Sequence, residues 1–212
     1  MFYSQAEQDF YSQAEQDKWV YEFYNGKKNG YFVEVGAFDG IGDSNTYFLE
    51  KSLDWKGISI EANKEMFDKL CKNRNSTNIN IAINSFKGQC SFDGYTVNNK
   101  LDNTLVECDT LNQVLLDADA NKNIDYLSLD IEGLEYEALE SLDFNYWNIG
   151  LITVEHNLYC TDSIKKDKIY NFLIKNNFIR EKEDVLCLHP HPSVYGKPYE
   201  DWYINKNTLR NI

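Results

Sequence analysis

Tyr31-Phe32-Val33-Glu34-Val35-Gly36-Ala37-Phe38-Asp39-Gly40 is the stretch on which the fold turns. Residues 31–35 form an apolar run of strand length that meets a turn punctuated by Gly36 and Gly40. A helical pattern starts just beyond, near Asp43-Ser44-Asn45. Strand, glycine turn and helix N-terminus in this order make the ligand-binding corner of an α/β sheet. Glycine lets the backbone come close to a ligand where a Cβ would collide.

The spacing narrows the ligand. A pyrophosphate cradle reads G-x-G-x-x-G, whereas this turn has three residues between Gly36 and Gly40. Carboxylates at Glu34 and Asp39 repel a pyrophosphate and suit a cationic ligand. S-adenosylmethionine has that character, with an ammonium, a carboxylate, a sulfonium and no phosphate. About twenty residues on, where an acid meets ribose hydroxyls, Ile58-Ser59-Ile60-Glu61 reads as a second strand ending in a carboxylate. Surface acids on an ordinary βαβ unit are the plain alternative, and Glu61 tips the reading toward a nucleoside.

At 212 residues the chain fits one domain with a substantial core. A net charge of −13 argues against nucleic acid or an anionic membrane surface as the main partner. The five cysteines (Cys71, Cys90, Cys108, Cys160, Cys187) form no C-x-x-C pair, as expected of reduced core thiols inside a cell. No basic–apolar leader opens the sequence and no apolar run is long enough to span a bilayer. The expectation is a soluble, cytoplasmic protein, whole or cut from a larger one.

The chain opens with a perfect tandem repeat, residues 2–9 duplicated as 10–17. Two copies cannot build a solenoid. The organisation read from this is a duplicated N-terminal segment, 1–17, followed by a single domain, 18–212, with the second copy fixed in place by its junction with Lys18-Trp19-Val20-Tyr21. Further strands are predicted at 79–83, 90–92, 104–108, 124–130 and 149–154, and two late ones at 178–181 and 201–204. Helical stripes follow Tyr47, Met66, Leu111, Leu134 and Ile169. Asp109 or Thr110 reads as an N-cap, and residues 97–103 as a loop placed where a substrate lid would hang. Alternation of strand and helix predicts a mainly parallel, doubly wound sheet with an antiparallel strand at its edge.

With these residues placed, the chain resembles the FkbM family of S-adenosylmethionine-dependent methyltransferases. The resemblance rests on residues 12–17 (SQAEQD), 32–40 (FVEVGAFDG), 44–50 (SNTYFLE), 55–63 (WKGISIEAN), 127–133 (LSLDIEG) and 154–157 (VEHN), in order and over nearly the whole chain. It implies a Rossmann-like class I methyltransferase fold, a seven-stranded sheet with the last strand antiparallel. It also implies O-methylation, often of sugars or polyketide-type small molecules, sometimes by a domain joined to a glycosyltransferase. A sugar or glycan acceptor follows as the expected partner. The doubled opening motif is a departure and leaves the first copy without an assigned role.

Methyl transfer is an in-line displacement, and an alcohol needs a base or a metal to take up its proton. In this topology the strand ends gather Asp130, Glu132, Glu155 and His156. His156 is the first candidate for general base, since imidazole titrates nearest neutrality, and Asp130 the second. A hydrogen-bonded structural histidine is the competing reading. Asp130, Glu132 and Glu155 are also hard oxygen ligands suited to Mg²⁺. For the cofactor, Glu34 or Asp39 would meet the ammonium, and Gly36, Ala37 and Gly40 give backbone approach. Ser44 and Asn45 would meet the carboxylate or simply cap a helix. Glu61 takes the ribose flanked by Ala62 and Asn63, Ala82 and Ile83 line an adenine slot, and Gln13 and Asp17 close the site from outside. Loop tyrosines (Tyr95, Tyr159, Tyr195, Tyr199) suit stacking on sugars, and His189-Pro190-His191-Pro192 reads as a stiff loop. A catalytically silent docking domain and a nicotinamide-dependent enzyme are the rival functions. The intact Gly36, Gly40, Glu61, Asp130 and His156 weigh against the first, and Asp39 with the glycine spacing against the second.

Overall fold

A computed structural model describes residues 10–94, 96–97, 104–157, 163–188 and 195–210. The first repeat copy (2–9), most of the expected lid (98–103), Tyr95, Tyr159, Cys160 and the His189–Pro192 tract lie outside the described residues.

Helix α1 (Gln16–Phe23) precedes strand β1 (Tyr31–Val35), α2 (Tyr47–Leu53), β2 (Lys56–Ile60), α3 (Lys64–Asn73) and β3 (Thr77–Ile79). Two short strands and one longer one, β4 (Ala82–Ile83), β5 (Gly88–Phe92) and β6 (Thr104–Asp109), lead to α4 (Leu111–Asp117). The second half runs β7 (Asn123–Leu129), α5 (Glu135–Ser141), β8 (Asn148–Glu155), α6 (Ser163–Lys175), β9 (Phe178–Leu186), β10 (Pro198–Asn205) and α7 (Lys206–Leu209). The main sheet has seven strands in the order β3-β2-β1-β7-β8-β10-β9. Strands β1, β2, β3, β7 and β8 pair in parallel, and β10 is antiparallel to both its neighbours. This is the Rossmann-like methyltransferase sheet expected from the sequence.

Each sheet face buries a separate apolar layer. Val33, Val35, Leu127, Leu129, Ile152 and Val154 pack against Leu111 and Leu115 of α4, Leu139 of α5 and Leu173 of α6. Phe32, Tyr126, Leu151 and Trp202 face Trp19 and Val20 of α1 and Leu49 of α2. Parallel strands covered on both faces are apolar without alternation, which is why 31–35, 124–129 and 149–154 stand out in the sequence. Each fully buried aliphatic side chain contributes about 1.5–3 kcal/mol relative to exposure.

Two expectations change. The antiparallel strand does not sit at the edge: β10 inserts between β8 and β9, and β9 becomes the edge. Its pairing on both sides explains why residues 199–205 are all buried. The single strand expected at 79–83 is two, because Asn80 turns its Nδ2 to the carbonyls of Glu61 (2.7 Å) and Ala62 (3.1 Å). Its first part joins the main sheet, while β4 joins β5 and β6 in a second, three-stranded sheet. The junction of the second repeat copy with Lys18–Tyr21 lies in a helix, α1.

Candidate active site

The C-terminal ends of β1, β2 and β7 open on a cavity of about 250 Å³ lined by residues 34–38, 42–45, 60–62, 81–83 and 130–132, with Gln13, Phe92, Gly94 and Val97. The turn after β1 allows this. Gly36 adopts φ +88°, and a Cβ there would lie 1.7 Å from the Asp130 carbonyl oxygen, so β1 and the end of β7 approach more closely than any side chain permits.

Beside that turn lies a buried polar network. The Glu34 carboxylate accepts from Ser44 Oγ (2.9 Å), the Asn45 amide (2.8 Å), Thr46 Oγ1 (2.7 Å) and Arg74 Nη1 (3.1 Å). Arg74, its side chain wholly buried, also donates to Glu50 (2.7 Å) and Thr46 Oγ1 (2.7 Å). The loop between β1 and α2 is thereby tied to the end of α3. Asn45 donates through Nδ2 to Ser128 Oγ (2.8 Å), while its Oδ1 is buried with no partner among the described residues. A buried acceptor left without a donor costs about 1–3 kcal/mol, so this corner keeps an acceptor open at the cavity.

At the end of β2, Glu61 is 8% exposed and accepts from the amides of Phe38 (2.8 Å) and Asn63 (2.7 Å). Burial pushes its carboxyl up, against the pull of those amides. Each oxygen keeps a lone pair for a further donor. Ile60, Ile81, Ala82, Ile83, Phe92 and Val97 supply an apolar slot alongside.

The end of β7 and β8 is acidic. One carboxylate oxygen each from Asp130, Glu132 and Glu155 lie within 4.8 Å of one another. Burial, then the charge of Glu132, pushes the Asp130 carboxyl up to about 7, while a hydrogen bond with Glu155 pulls the other way. Burial, then Asp130, pushes Glu155 well above the ordinary range. The two carboxyls are hydrogen-bonded to each other, and burial raises the titration of both. Opposite Glu155 in register, Glu200 is pushed by burial up to about 8 and accepts from Trp202 Nε1.

Residues 34–179 match the methyltransferase FkbM domain, more than half of the chain. The chain belongs to that family. FkbM domains are class I S-adenosylmethionine-dependent methyltransferases, and this chain is a methyltransferase of that kind. No protein of curated function matches it by sequence. Among solved structures, it is similar to a precorrin-6y C5,15-methyltransferase from Geobacter metallireducens, at 11% identity and a TM-score of 0.54, covering 97% of this chain and 93% of that one. It is also similar to the O-methyltransferase TomG from Streptomyces achromogenes, involved in tomaymycin synthesis and solved with S-adenosylmethionine, at 10% identity and TM-score 0.53 over 94% of this chain and 82% of that one. A magnesium protoporphyrin IX methyltransferase from Synechocystis, also with S-adenosylmethionine bound, matches at 10% identity and TM-score 0.51 over 90% and 76% of the two chains. At such identities the likeness is one of fold.

The FkbM domain sorts the sequence-predicted residues into three groups. Gln13, Glu34, Gly36, Ala37, Ser44, Asn45, Glu61, Ala62, Ala82, Asp130 and Glu132 line the cavity, and Glu155 touches it through Asp130. Within that group two roles shift. Glu34 is saturated by Arg74 and its loop, so it positions the turn rather than receiving an ammonium. Ser44 Oγ is equally engaged, donating to Glu34 and accepting from the Tyr47 amide (3.1 Å), and Asn45 offers an acceptor rather than a carboxylate donor.

The second group stands outside the cavity. Asp39 Oδ1 accepts from the amides of Ile41 and Gly42 (both 2.9 Å) and closes the turn. Gly40 makes room for α3: a Cβ there would meet Leu70 and Arg74 at 2.7 Å. Asn63 caps α3, accepting from the amides of Glu65 and Met66, and its Nδ2 reaches the Gly94 carbonyl. Asp17 folds the turn before α1, accepting from the Tyr11 amide (2.7 Å) and Ser12 Oγ (2.5 Å).

His156 forms the third. Alternation along β8 turns it to the side of Val154, which packs with α4, α5 and α6, whereas Glu155 faces Glu200 on the other side. Its Nε2 lies 3.4 Å from Asp201 and 3.6 Å from Asp184, and their carboxylates are met by Arg180 and Lys166. The first candidate for general base is thus a buried histidine in an ion-pair network, off the cavity wall. Tyr199, read as a loop residue, is buried in β10 and meets Gln16 Nε2 through its hydroxyl. Arg74 and Glu200 lie in no motif, and Ser128 and Phe92, though inside 127–133 and the predicted strand 90–92, carry no sign of a role at the site.

Proposed function

We propose that this FkbM domain transfers a methyl group from S-adenosylmethionine to a hydroxyl of a sugar, within a glycan or polysaccharide. S-adenosylmethionine supplies an activated methyl on a sulfonium. Glu61 accepts from the ribose hydroxyls, Asn45 Oδ1 from the ammonium, and the slot at residues 81–83 takes the adenine. Gln13, which lines the cavity and whose carbonyl accepts from Leu188 (2.8 Å), offers its amide to the carboxylate. Gly36 lets the end of β1 close on the Asp130 backbone, with both residues at the cavity wall.

One observation carries the choice of reaction: a carboxyl titrating near neutrality, Asp130, stands at the cavity wall against a buried partner, Glu155. As the acceptor oxygen bonds to the methyl carbon and the carbon–sulfur bond breaks, Asp130 takes the hydroxyl proton, and the Glu155 hydrogen bond holds it. The acidic lining suits a neutral, polyhydroxylated acceptor and disfavours a phosphate backbone. Phe38, 44% exposed at the cavity, offers a ring for a sugar's apolar face. An oligosaccharide acceptor places a glycosyl-transfer reaction upstream. Among the described residues no helix is long and apolar enough to cross a membrane.

Methyl transfer from labelled S-adenosylmethionine to a panel of free sugars, oligosaccharides, amines and RNA tests the reading. Transfer to a sugar hydroxyl, lost in Asp130→Asn, is expected. Transfer to amines or RNA with no sugar product would overturn the acceptor assignment.

A further inference from the structure

The two clusters of acids found among the described residues differ in one respect. Where His156 meets Asp184 and Asp201, Lys166 and Arg180 neutralise the carboxylates. Around Asp130, Glu132 and Glu155, among the described residues, no lysine or arginine pairs with any of the three. The nearest ammonium, Lys165, is bound to Glu135, whose other oxygen holds the amides of Ile131 and Gly133 (both 3.1 Å). Glu155 is 4% exposed and its Oε2 has no partner among the described residues. The Asp130–Glu155 hydrogen bond needs a proton on one carboxyl; with both ionised, a buried oxygen facing two further acids asks for a cation in that proton's place.

We propose that Asp130, Glu132 and Glu155 hold one hard divalent cation, whose open positions take two neighbouring hydroxyls of the acceptor. The cation half stands on this geometry alone; the acceptor half rests on the methyl-transfer reading above and narrows its substrate to vicinal diols. Oxygens on opposite sides of a Mg²⁺ ion are about 4.2 Å apart, so a trio spanning up to 4.8 Å closes on it with small side-chain movements. Glu132 is aimed by two features: a left-handed backbone (φ +57°), uncommon for glutamate, and a hydrogen bond from Asn157 Nδ2 to its Oε2 (3.1 Å). Asp130 and Glu132 line the cavity, so the ion faces the space where an acceptor enters. There it would draw electron density from a bound hydroxyl and ease passage of its proton to the Asp130 oxygen that does not meet the ion.

Mn²⁺ titrated into the metal-stripped protein and followed by loss of its free electron-spin signal tests the cation. One Mn²⁺ per chain is expected, weakened about tenfold or more in Glu132→Gln and in Glu155→Gln and unchanged in Asp184→Asn. Glu132 is exposed, so its variant keeps the test valid if Glu155→Gln fails to fold. No stoichiometric Mn²⁺, or equal affinity in wild type and Glu132→Gln, overturns the site. Calorimetry of S-adenosylhomocysteine on the same samples in EDTA separates the two readings. Binding there without any Mn²⁺ site removes the cation alone, whereas no binding of S-adenosylhomocysteine removes the methyl-transfer reading. For the acceptor half, a cis-diol sugar should lower the Mn²⁺-enhanced relaxation of water while a mono-alcohol leaves it unchanged; equal effects overturn that half.

Discussion

Replacing Glu61 by alanine probes the nucleoside end of the cavity. Its carboxylate already accepts two backbone amides, at 2.8 and 2.7 Å, and sits 8% exposed at the end of β2. Two ribose hydroxyls donating to a charged acceptor contribute about 1.5–3 kcal/mol each. Since neighbouring bonds to one group do not add fully, about 3 kcal/mol for the pair is a fair figure. That corresponds to a loss of roughly a hundredfold in affinity. The same change orphans the Phe38 and Asn63 amides, of which the first borders the cavity and can take water. The cost to the fold should therefore stay near 1–2 kcal/mol, a fall of about 2–8 °C in melting temperature for a chain of this size. Calorimetric titration of S-adenosylhomocysteine into wild type and Glu61→Ala, with NAD as control ligand and a thermal melt of each protein, gives both quantities. A folded Glu61→Ala that binds S-adenosylhomocysteine within about threefold of wild type, less than 1 kcal/mol, would refute the placement of the ribose.

Other perturbations follow from the same geometry. Arg74→Met leaves Glu34 and Glu50 without their buried partner and should destabilise the fold by about 3–5 kcal/mol in urea unfolding; a loss under about 1 kcal/mol would mean the network does not hold the loop. Gly36→Ala drives a Cβ to 1.7 Å from the Asp130 carbonyl at φ +88°, so loss of S-adenosylhomocysteine binding or of soluble protein is expected, and a normal titration would refute the close approach. Glu200 rises to about 8 in the fold from an unfolded value of 4.5. Its native proton therefore stabilises the protein fully below pH 4.5, and this contribution fades as pH rises through 8, at about 1.4 kcal/mol per unit. Melting curves in EDTA should show Glu200→Gln flattening the fall in stability between those pH values, and an unchanged slope would place the proton elsewhere.

How much of this was written in the sequence depends on how local each feature is. The strands of the main sheet are buried on both faces, so runs such as 31–35 and 149–154 announce themselves by composition, and the glycine turn fixes where the cavity opens. Glu61 was legible for the same reason, as an acid ending an apolar run. The polar network was not. Arg74 sits at the end of α3, yet its partners Glu34, Ser44, Thr46 and Glu50 lie 24 to 40 residues away, and no spacing rule predicts such a bond. Asp39 and Gly40 matched a motif, but a motif does not say whether a side chain serves the ligand or the turn that surrounds it.

The end of β8 shows the limit most sharply. Glu155 and His156 are adjacent in sequence and equally good candidates for acid–base chemistry by residue type. In the fold one faces Asp130 and Glu200, the other Asp184 and Asp201. A period of two along a strand separates neighbours onto opposite faces, so only one of them can join a given cavity, and the choice depends on register. Pairing with β7 places Val154 opposite Leu129, and β10, whose interior place the sequence did not reveal, lies on the other side. Once Glu200 lies opposite Glu155 and Asp201 opposite Val154, the histidine is turned to Asp184 and Asp201 and Glu155 to Asp130 at the cavity wall. The proton handling proposed above therefore falls to the carboxyls, and the last strand supplies the acids that meet each of these two neighbours.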